Sequence, residues 1–337
     1  MKEAMFYTTG PSDEVHCALC HHTCKIKERK RGLCGVRQNE GGKLYTLVYG
    51  NLIAENIDPV EKKPLFHFLP GSKTFSIGTV GCNFFCKHCQ NADISQYPQK
   101  HHGEIPGNAR TPDQVVDVAE SKRCRSIAYT YTEPTIFYEF AYDTGRTAHD
   151  DALRNIFVSN GYMAAEPARQ IAPYLDAINI DLKSFSDQTY RSICGARLQP
   201  VLDNIQLMKD LGVWVEVTTL IIPTVNDSAS ELREIARFIK GVDVEIPWHV
   251  SQFFPAYKMD GYGPTPPETI HTARQIGADE GLHYIYEGNL HGQGEEHTYC
   301  PHCKAVLIER SGHVLVQNRL REGRCPDCST PIAGVWD

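Results

Sequence analysis

The stretch TFSIGTVGCNFFCKHCQNADISQ, residues 74–96, decides how the rest of the chain is read. Phe75 to Val80 is an apolar run with β-branched residues and reads as a strand. Gly81 lets the chain turn, and Cys82, Cys86 and Cys89 follow at the spacing C-x3-C-x2-C. Three thiolates so spaced can wrap one short loop around one iron–sulfur cluster, each reaching a different iron. A cluster that only carries electrons is usually closed by four cysteines. Three leave one iron open, by the logic that separates catalytic from structural zinc sites. Such an iron can chelate a small ligand through an amine and a carboxylate. The bland alternatives are a zinc loop or three unrelated core cysteines.

The chain of 337 residues can hold one large domain of about 200 to 250 residues with small additions. Its 41% hydrophobic and 22% charged content is ordinary for a soluble globular protein. A formal net charge of −7 gives no overall field that favours nucleic acid. No run of 18 apolar residues occurs, so no membrane span is expected. The N-terminus has no apolar segment of the signal-peptide kind, and a cytoplasmic location is expected. In that reducing compartment thirteen cysteines argue for metal ligation over disulfides.

Eleven of the cysteines fall into three groups, and Cys124 and Cys194 stand apart. Residues 1–50 carry Cys17, Cys20, Cys24 and Cys34 at C-x2-C-x3-C-x9-C, with too little apolar sequence between them for a core of their own. A metal would supply the folding energy of such a module. Zinc is the first choice; a second iron–sulfur cluster and unliganded thiols are the alternatives. Residues 51–73 form a connector rich in proline and charge, which Leu65, Phe66, Phe68 and Leu69 should anchor, with His67 packed among them. Residues 291–337 hold the knuckles Cys300-Pro-His-Cys303 and Cys325-Pro-Asp-Cys328 around a hairpin turning at Ser311-Gly312. That pattern reads as a zinc ribbon. His291, His297 and His302 are not needed as ligands there, because four thiolates already close a site.

Between 74 and 290, strands alternate with helices. The strand candidates are Phe75–Val80, Ser126–Thr130, Ile156–Ser159, Ala177–Leu182, Val213–Ile222, Trp248–Phe253 and His283–Tyr286. Capping-box signatures at Thr111–Gln114, Ser228–Glu231 and Thr265–Glu268 mark helix starts. The alternation predicts a parallel sheet with right-handed crossovers, a partial (β/α)6 TIM-like barrel. Chemistry in such folds gathers at the C-terminal strand ends. Polar residues do sit there: Thr130, Thr132 and Glu133; Ser159 and Asn160; Asp181 and Lys183; Thr218 and Thr219; His249 and Gln252. Wet loops explain some of these. They explain poorly an Asp and a Lys in the apolar frame AINIDLKSF, where both are costly to desolvate.

The motif C-x3-C-x2-C, with the aromatic His88 before its last cysteine, resembles the radical S-adenosylmethionine (SAM) superfamily. Further segments carry the likeness: GLCGVR, LVYGNLIAENIDPVEKKPLFHFLPGS, NIDLKSF, CGARLQPVLDNI, VEVTTLIIPTVND, PWHVSQFFPAYKM and the closing knuckles. Together they resemble the radical SAM enzymes of the AmmeMemoRadiSam system, related to pyruvate formate-lyase activating enzymes. The resemblance implies a [4Fe-4S] cluster on Cys82, Cys86 and Cys89 with SAM on its open iron. It implies reductive SAM cleavage to a 5′-deoxyadenosyl radical that takes hydrogen from a substrate, possibly a protein or peptide. Thr132 and Glu133 would meet the SAM ammonium, Ser159 and Asn160 the ribose, and Lys183 the carboxylate, with Asp181 orienting the lysine or contacting substrate. His249 matches a strand-end histidine that reaches toward SAM, its bland alternative being a hydrogen-bonded core residue. TYTEP departs from the family's usual Gly-Gly pair before the glutamate. Implied partners are an electron donor such as flavodoxin or ferredoxin, and Memo-like and Amme-domain proteins. Cys194 could meet substrate or be a small buried residue, and Arg191 and Arg197 could anchor an acidic substrate. Two other functions stay open: a glycyl-radical activase, and a non-catalytic iron–sulfur and zinc scaffold or redox sensor.

Overall fold

A computed structural model describes residues 1–290, 292 and 294–337; His291 and the ligand question attached to it lie outside them. Eight strands form the central sheet: β1 Ala54–Pro59, β2 Lys73–Gly78, β3 Ser126–Tyr129, β4 Arg154–Ser159, β5 Ala177–Asp181, β6 Trp214–Ile221, β7 Trp248–Gln252 and β8 Ile285–Gly288. They lie side by side in chain order. All neighbours from β2 to β8 pair in parallel, while β1 is an antiparallel edge. The expected strands are therefore present, shifted by one or two residues. Within the connector, residues 54–59 add an antiparallel edge strand to the sheet.

Helices cross between the parallel strands: α1 Pro112–Ser121, α2 Tyr138–Asp150, α3 Ala165–Ile171, α4 Gln199–Asp210, α5 Ala229–Val242 and α6 Pro267–Glu280. At the start of α1, Thr111 and Gln114 form the reciprocal capping box. Before α5, Ser228 caps Glu231 N, but the Glu231 carboxylate leaves the box to accept from Ser184 Oγ and Phe185 N. The box expected at Thr265 does not form. Its hydroxyl donates to Ile221 O and accepts from Phe253 N, joining the ends of β6 and β7. A buried inter-strand partner wins over a helix terminus.

Residues 1–50 have no core of their own. Val15, Ile26, Val36 and Leu44 are buried in the same apolar cluster as Phe75, Ile77 and Ile127 of the central sheet. The C-terminal module pairs Val306–Ser311 (β9) with Val314–Asn318 (β10). Leu307, Ile308 and Ile332 pack there against Phe66, Tyr284 and Tyr286. The connector anchors as expected, with Leu65, Phe68 and Leu69 buried against Ala128, Ile156 and Ala177.

His67 is fully buried between these units. Its Nδ1 lies 2.6 Å from Ala333 O and its Nε2 2.5 Å from the Tyr286 hydroxyl. Burial pushes its pKa down to about 4. A histidine whose folded pKa is depressed favours the fold in its neutral form. Its contribution is complete above its unfolded value of about 6.5 and is lost as pH falls toward 4. Stability should therefore decline by up to about 3 kcal/mol over that window. In urea titrations His67→Gln should flatten this slope; an unchanged slope would assign the acid sensitivity elsewhere.

Candidate active site

Because β2 to β8 are parallel, their C-terminal ends open on one side of the sheet, where ligands bind in such folds. The residues that follow those ends line a single cavity of about 620 Å³, within the size range of ligand sites. Cys82, Cys86 and Cys89 line it, as do Thr132, Glu133, Ser159, Asn160, Asp181, Lys183 and His249. Candidates that span 168 residues of sequence, from Cys82 to His249, thus meet in one place.

The cysteine loop is held from several directions. Gly81 has φ +95, and a Cβ there would lie 2.9 Å from Cys34 O, so only glycine suits the turn. A π-helical turn at Tyr190–Cys194 packs on the loop, with Phe85 N donating to Cys194 O and Lys87 N to Ile193 O. The Cys194 thiol is buried beside that of Cys86. Cys124 is buried away from this cavity.

After β3, Tyr131 takes φ +67, a left-handed conformation that costs a residue with a Cβ about 1 kcal/mol or more. The conformation is kept by Asn91 Nδ2 donating to Tyr131 O (2.7 Å) and by the Tyr131 hydroxyl donating to Asp58 (2.8 Å). Thr132 Oγ1 donates to Thr79 O at 2.9 Å, which ties this segment to the strand that leads into the cysteines.

Glu133 is buried and heavily engaged. Its Oε1 accepts from Thr135 N, Thr135 Oγ1 and Ser159 Oγ, and its Oε2 accepts from Asn160 N at 2.7 Å. Burial pushes the carboxyl above its ordinary range, and these hydrogen bonds oppose the rise. Asn160 also donates to Asn83 Oδ1, beside Cys82. Glu133, Ser159 and Asn160 thus form one clamp across the ends of β3 and β4. Asp181 and Lys183 pair at 2.8 Å. Burial works against the lysine's charge, yet Asp181 and the thiols of Cys86 and Cys194 hold its pKa above the ordinary value. The cavity thus keeps a cation beside the cysteines.

His249 Nε2 lies 2.6 Å from Glu216 Oε2. Glu216 also accepts from Phe66 N, His67 N and Trp214 Nε1. Burial disfavours this carboxylate, but His249 and the other donors keep its pKa below the ordinary range. Glu216 was not among the sequence candidates, although an acidic residue at an inward position of VWVEVTTL poses the same desolvation problem as Asp181. Lys63, Glu296 and His313 also escaped notice and line the cavity from the connector and the C-terminal module. Arg191 and Arg197 are elsewhere: both pair with Asp187 on the surface and do not reach the cavity.

The C-terminal thiols form a compact site. Cys300 and Cys328 are 3.6 Å apart, as are Cys303 and Cys325, and all four sulfurs lie within 4.8 Å of one another. Hydrogen bonding with Thr330 and the neighbouring thiols holds the Cys328 thiol below its ordinary range. The set fits one tetrahedral ion. Among the described residues no helix is long and apolar enough to cross a membrane.

A parallel α/β sheet thus gathers three cysteines, a half-buried Asp–Lys pair and polar strand ends around one cavity. Residues 76–239 match the model of the radical SAM superfamily. The chain is 46% identical over 335 residues to an uncharacterized protein of Methanocaldococcus jannaschii, covering 98% of this chain and 99% of that one. It is 22% identical over 191 residues to the pyruvate formate-lyase-activating enzyme of Clostridium pasteurianum, covering 53% of this chain and 76% of that one. The crystal structure of Streptococcus suis SuiB bound to precursor peptide SuiA superposes with a TM-score of 0.51 at 11% identity, over 67% of this chain and 50% of that one; it shares the fold. Residues 76–239 thus form a radical SAM domain, and the chain is homologous to pyruvate formate-lyase activating enzymes.

Proposed function

We propose that the protein is a radical SAM enzyme that binds a [4Fe-4S] cluster on Cys82, Cys86 and Cys89 and SAM beside it. The observation that carries this reading is the convergence of those three cysteines and the strand-end groups on one 620 Å³ cavity. The residues fit the group. All three thiols line the cavity, from one short loop. When bound and reduced, the cluster supplies the electron that splits SAM and yields a 5′-deoxyadenosyl radical.

The chain's own groups do the rest. Lys183, held charged by Asp181, supplies the cation that a methionine carboxylate needs. The clamp on Glu133 fixes the ends of β3 and β4, leaving the polar groups around Thr132 to meet the ammonium. Ser159 and Asn160 act through this clamp at the ribose side. His249, fixed by Glu216, borders the far part of the cavity. The sheet is read as an incomplete (β/α) barrel, with the connector and the C-terminal module standing beside its open side. A zinc ion is assigned to the C-terminal four cysteines. The closer likeness to the AmmeMemoRadiSam enzymes, with Memo-like and Amme-domain partners, rests on the sequence segments quoted above.

The cavity suits hydrogen abstraction from a protein or peptide, because Glu296 and His313 of the C-terminal module form part of its wall and can contact a docked chain. The test is anaerobic incubation of the reduced protein with SAM. 5′-Deoxyadenosine is expected; its absence would leave the scaffold reading. Deuterated candidate partners then identify the substrate by label passing into 5′-deoxyadenosine.

Cys194 bears on the same site. The thiols of Cys194 and Cys86 are neighbours; were Cys86 deprotonated as a cluster ligand, the Cys194 S–H would be the donor of the pair, and hydrogen bonds to cluster sulfurs tune the reduction potential. Cys194→Ala should lower the potential of the cluster by roughly 40 mV, the worth of about 1 kcal/mol for a one-electron couple. Redox titration followed by electron paramagnetic resonance checks it, and an unchanged potential would return Cys194 to a packing role.

A further inference from the structure

Charge is unevenly spread over this protein. The whole chain carries 34 Lys and Arg against 41 Asp and Glu. Residues 25–31, KIKERKR, hold five cations and one carboxylate, and Lys25, Lys27, Arg29 and Lys30 are all exposed. Such a run is ordinarily a solvated face. Here its surroundings matter more than its composition.

Arg31 Nη1 donates to Gly103 O at 2.6 Å and Gln99 Nε2 to Leu33 O at 3.1 Å, so the run packs beside residues 97–103. In that segment the Lys100 ammonium lies 4.4 Å from the centroid of the Tyr257 ring, and the Lys258 ammonium lies 5.1 Å from the same centroid. Lys258 N donates to Lys87 O at 3.0 Å. Lys87 is exposed and stands between Cys86 and Cys89. One surface therefore runs from the basic run to the cysteine loop. Its segments 25–31, 87–104 and 257–260 hold eight Lys and Arg against four Asp and Glu, the reverse of the balance over the whole chain.

The loop has two sides. Cys86, His88 and Cys89 line the large cavity, whereas Lys87, Lys100, Tyr257 and Lys258 do not. At Lys87 the loop reaches solvent on the side away from that cavity. Leu33, 50% exposed, adds an apolar spot beside the basic run. Small, charge-steered contact areas are characteristic of weak redox encounters, in which the partner must come close and then leave.

The geometry points to this outer basic face as the docking site of an acidic one-electron carrier protein. Such a carrier reaches the loop of Cys82, Cys86 and Cys89 while the cavity stays free for SAM and substrate. An acidic substrate protein would instead have to enter the cavity, which these lysines do not line. The role rests on the function proposed above. The carrier is oxidised by one electron and the cluster is reduced by one, and no bond forms or breaks.

The test mixes the anaerobically reconstituted protein with a reduced acidic flavodoxin and reads the second-order rate of cluster reduction by stopped flow. The wild-type rate should fall about tenfold or more between low salt and about 0.3 M, as steered encounters do. Lys100→Glu with Lys258→Glu should lower the low-salt rate about tenfold and flatten that dependence, while reduction by dithionite is unchanged. A rate insensitive to the charge reversal would overturn the docking site. Equal slowing with dithionite would overturn it too, by placing the lysines in the cluster's own surroundings. Binding is read separately on the full chain, by titrating oxidised flavodoxin, which has no electron to give. The same double variant should bind about tenfold more weakly, and equal affinity would overturn the site. This second readout needs no SAM cleavage, so failure of the proposed activity and failure of the docking site are separable.

Discussion

Cys86→Ala removes the cluster from the 82–89 loop and takes 5′-deoxyadenosine formation below detection, while the fold stays intact. Two thiolates cannot hold a cubane whose open iron must remain free for a ligand. The sheet does not depend on that loop, because β2 to β8 pair independently of it and their core is apolar. Iron should fall by about four per chain and the far-ultraviolet circular dichroism should be unchanged. A variant that keeps its iron and still cleaves SAM would show that the reaction is centred on other cysteines. Lys183→Ala offers a contrast. It should keep the iron and weaken SAM binding, because it removes a cation next to the cluster without removing a ligand.

Arg37→Met should destabilise the protein by about 3–5 kcal/mol, as a buried ion pair does when one partner is removed. Arg37 and Glu139 are 2% and 1% exposed and share two hydrogen bonds of 2.9 and 3.1 Å. Glu139 lies on α2 and also accepts from Met5 N, so the pair fastens residues 1–50 to the central domain. Without Arg37 the carboxylate is left charged in an apolar surround. The double variant Arg37→Met with Glu139→Leu should recover most of the loss, since apolar replacement of a buried pair is often neutral. Urea midpoints for the wild type, both single variants and the double variant test this; a loss under 1 kcal/mol in Arg37→Met would show that water reaches the pair.

The strands, their order and the cysteine sets were legible because each is written locally. Alternating apolar segments with helix starts between them specify a parallel sheet, and Cys82, Cys86 and Cys89 declare themselves by spacing. The strand-end candidates were legible for a related reason: a charge in an apolar frame such as AINIDLKSF is expensive unless it has a purpose. Where a strand ended and a helix was capped was less secure. Thr265 looked like a cap, but the choice between capping a helix and joining two strands depends on what lies beside it in space.

What stayed hidden depends on partners far away in the chain. Arg37 finds Glu139 across 102 positions, and Glu216 meets His249 across 33 and Phe66 across 150. No local periodicity announces such pairs. The functional division within one constellation was hidden too. Sequence could nominate Glu133, Ser159 and Asn160, but only the fold revealed that they hydrogen-bond one another into a clamp.

The amino-acid order by itself determined that a chain of alternating strands and helices carries a three-cysteine loop at the end of its first parallel strand, with two four-cysteine modules outside. These are properties of spacing and polarity, and they hold before any long-range contact forms. Tertiary structure brought Cys300, Cys303, Cys325 and Cys328 close enough for one ion. It also set the N-terminal module against the loop of Cys82, Cys86 and Cys89 and gave buried charges such as Arg37 and Glu216 their counterparts. Those outcomes depend on distances between segments, and a charge can be taken out of water only where a partner has been folded into reach.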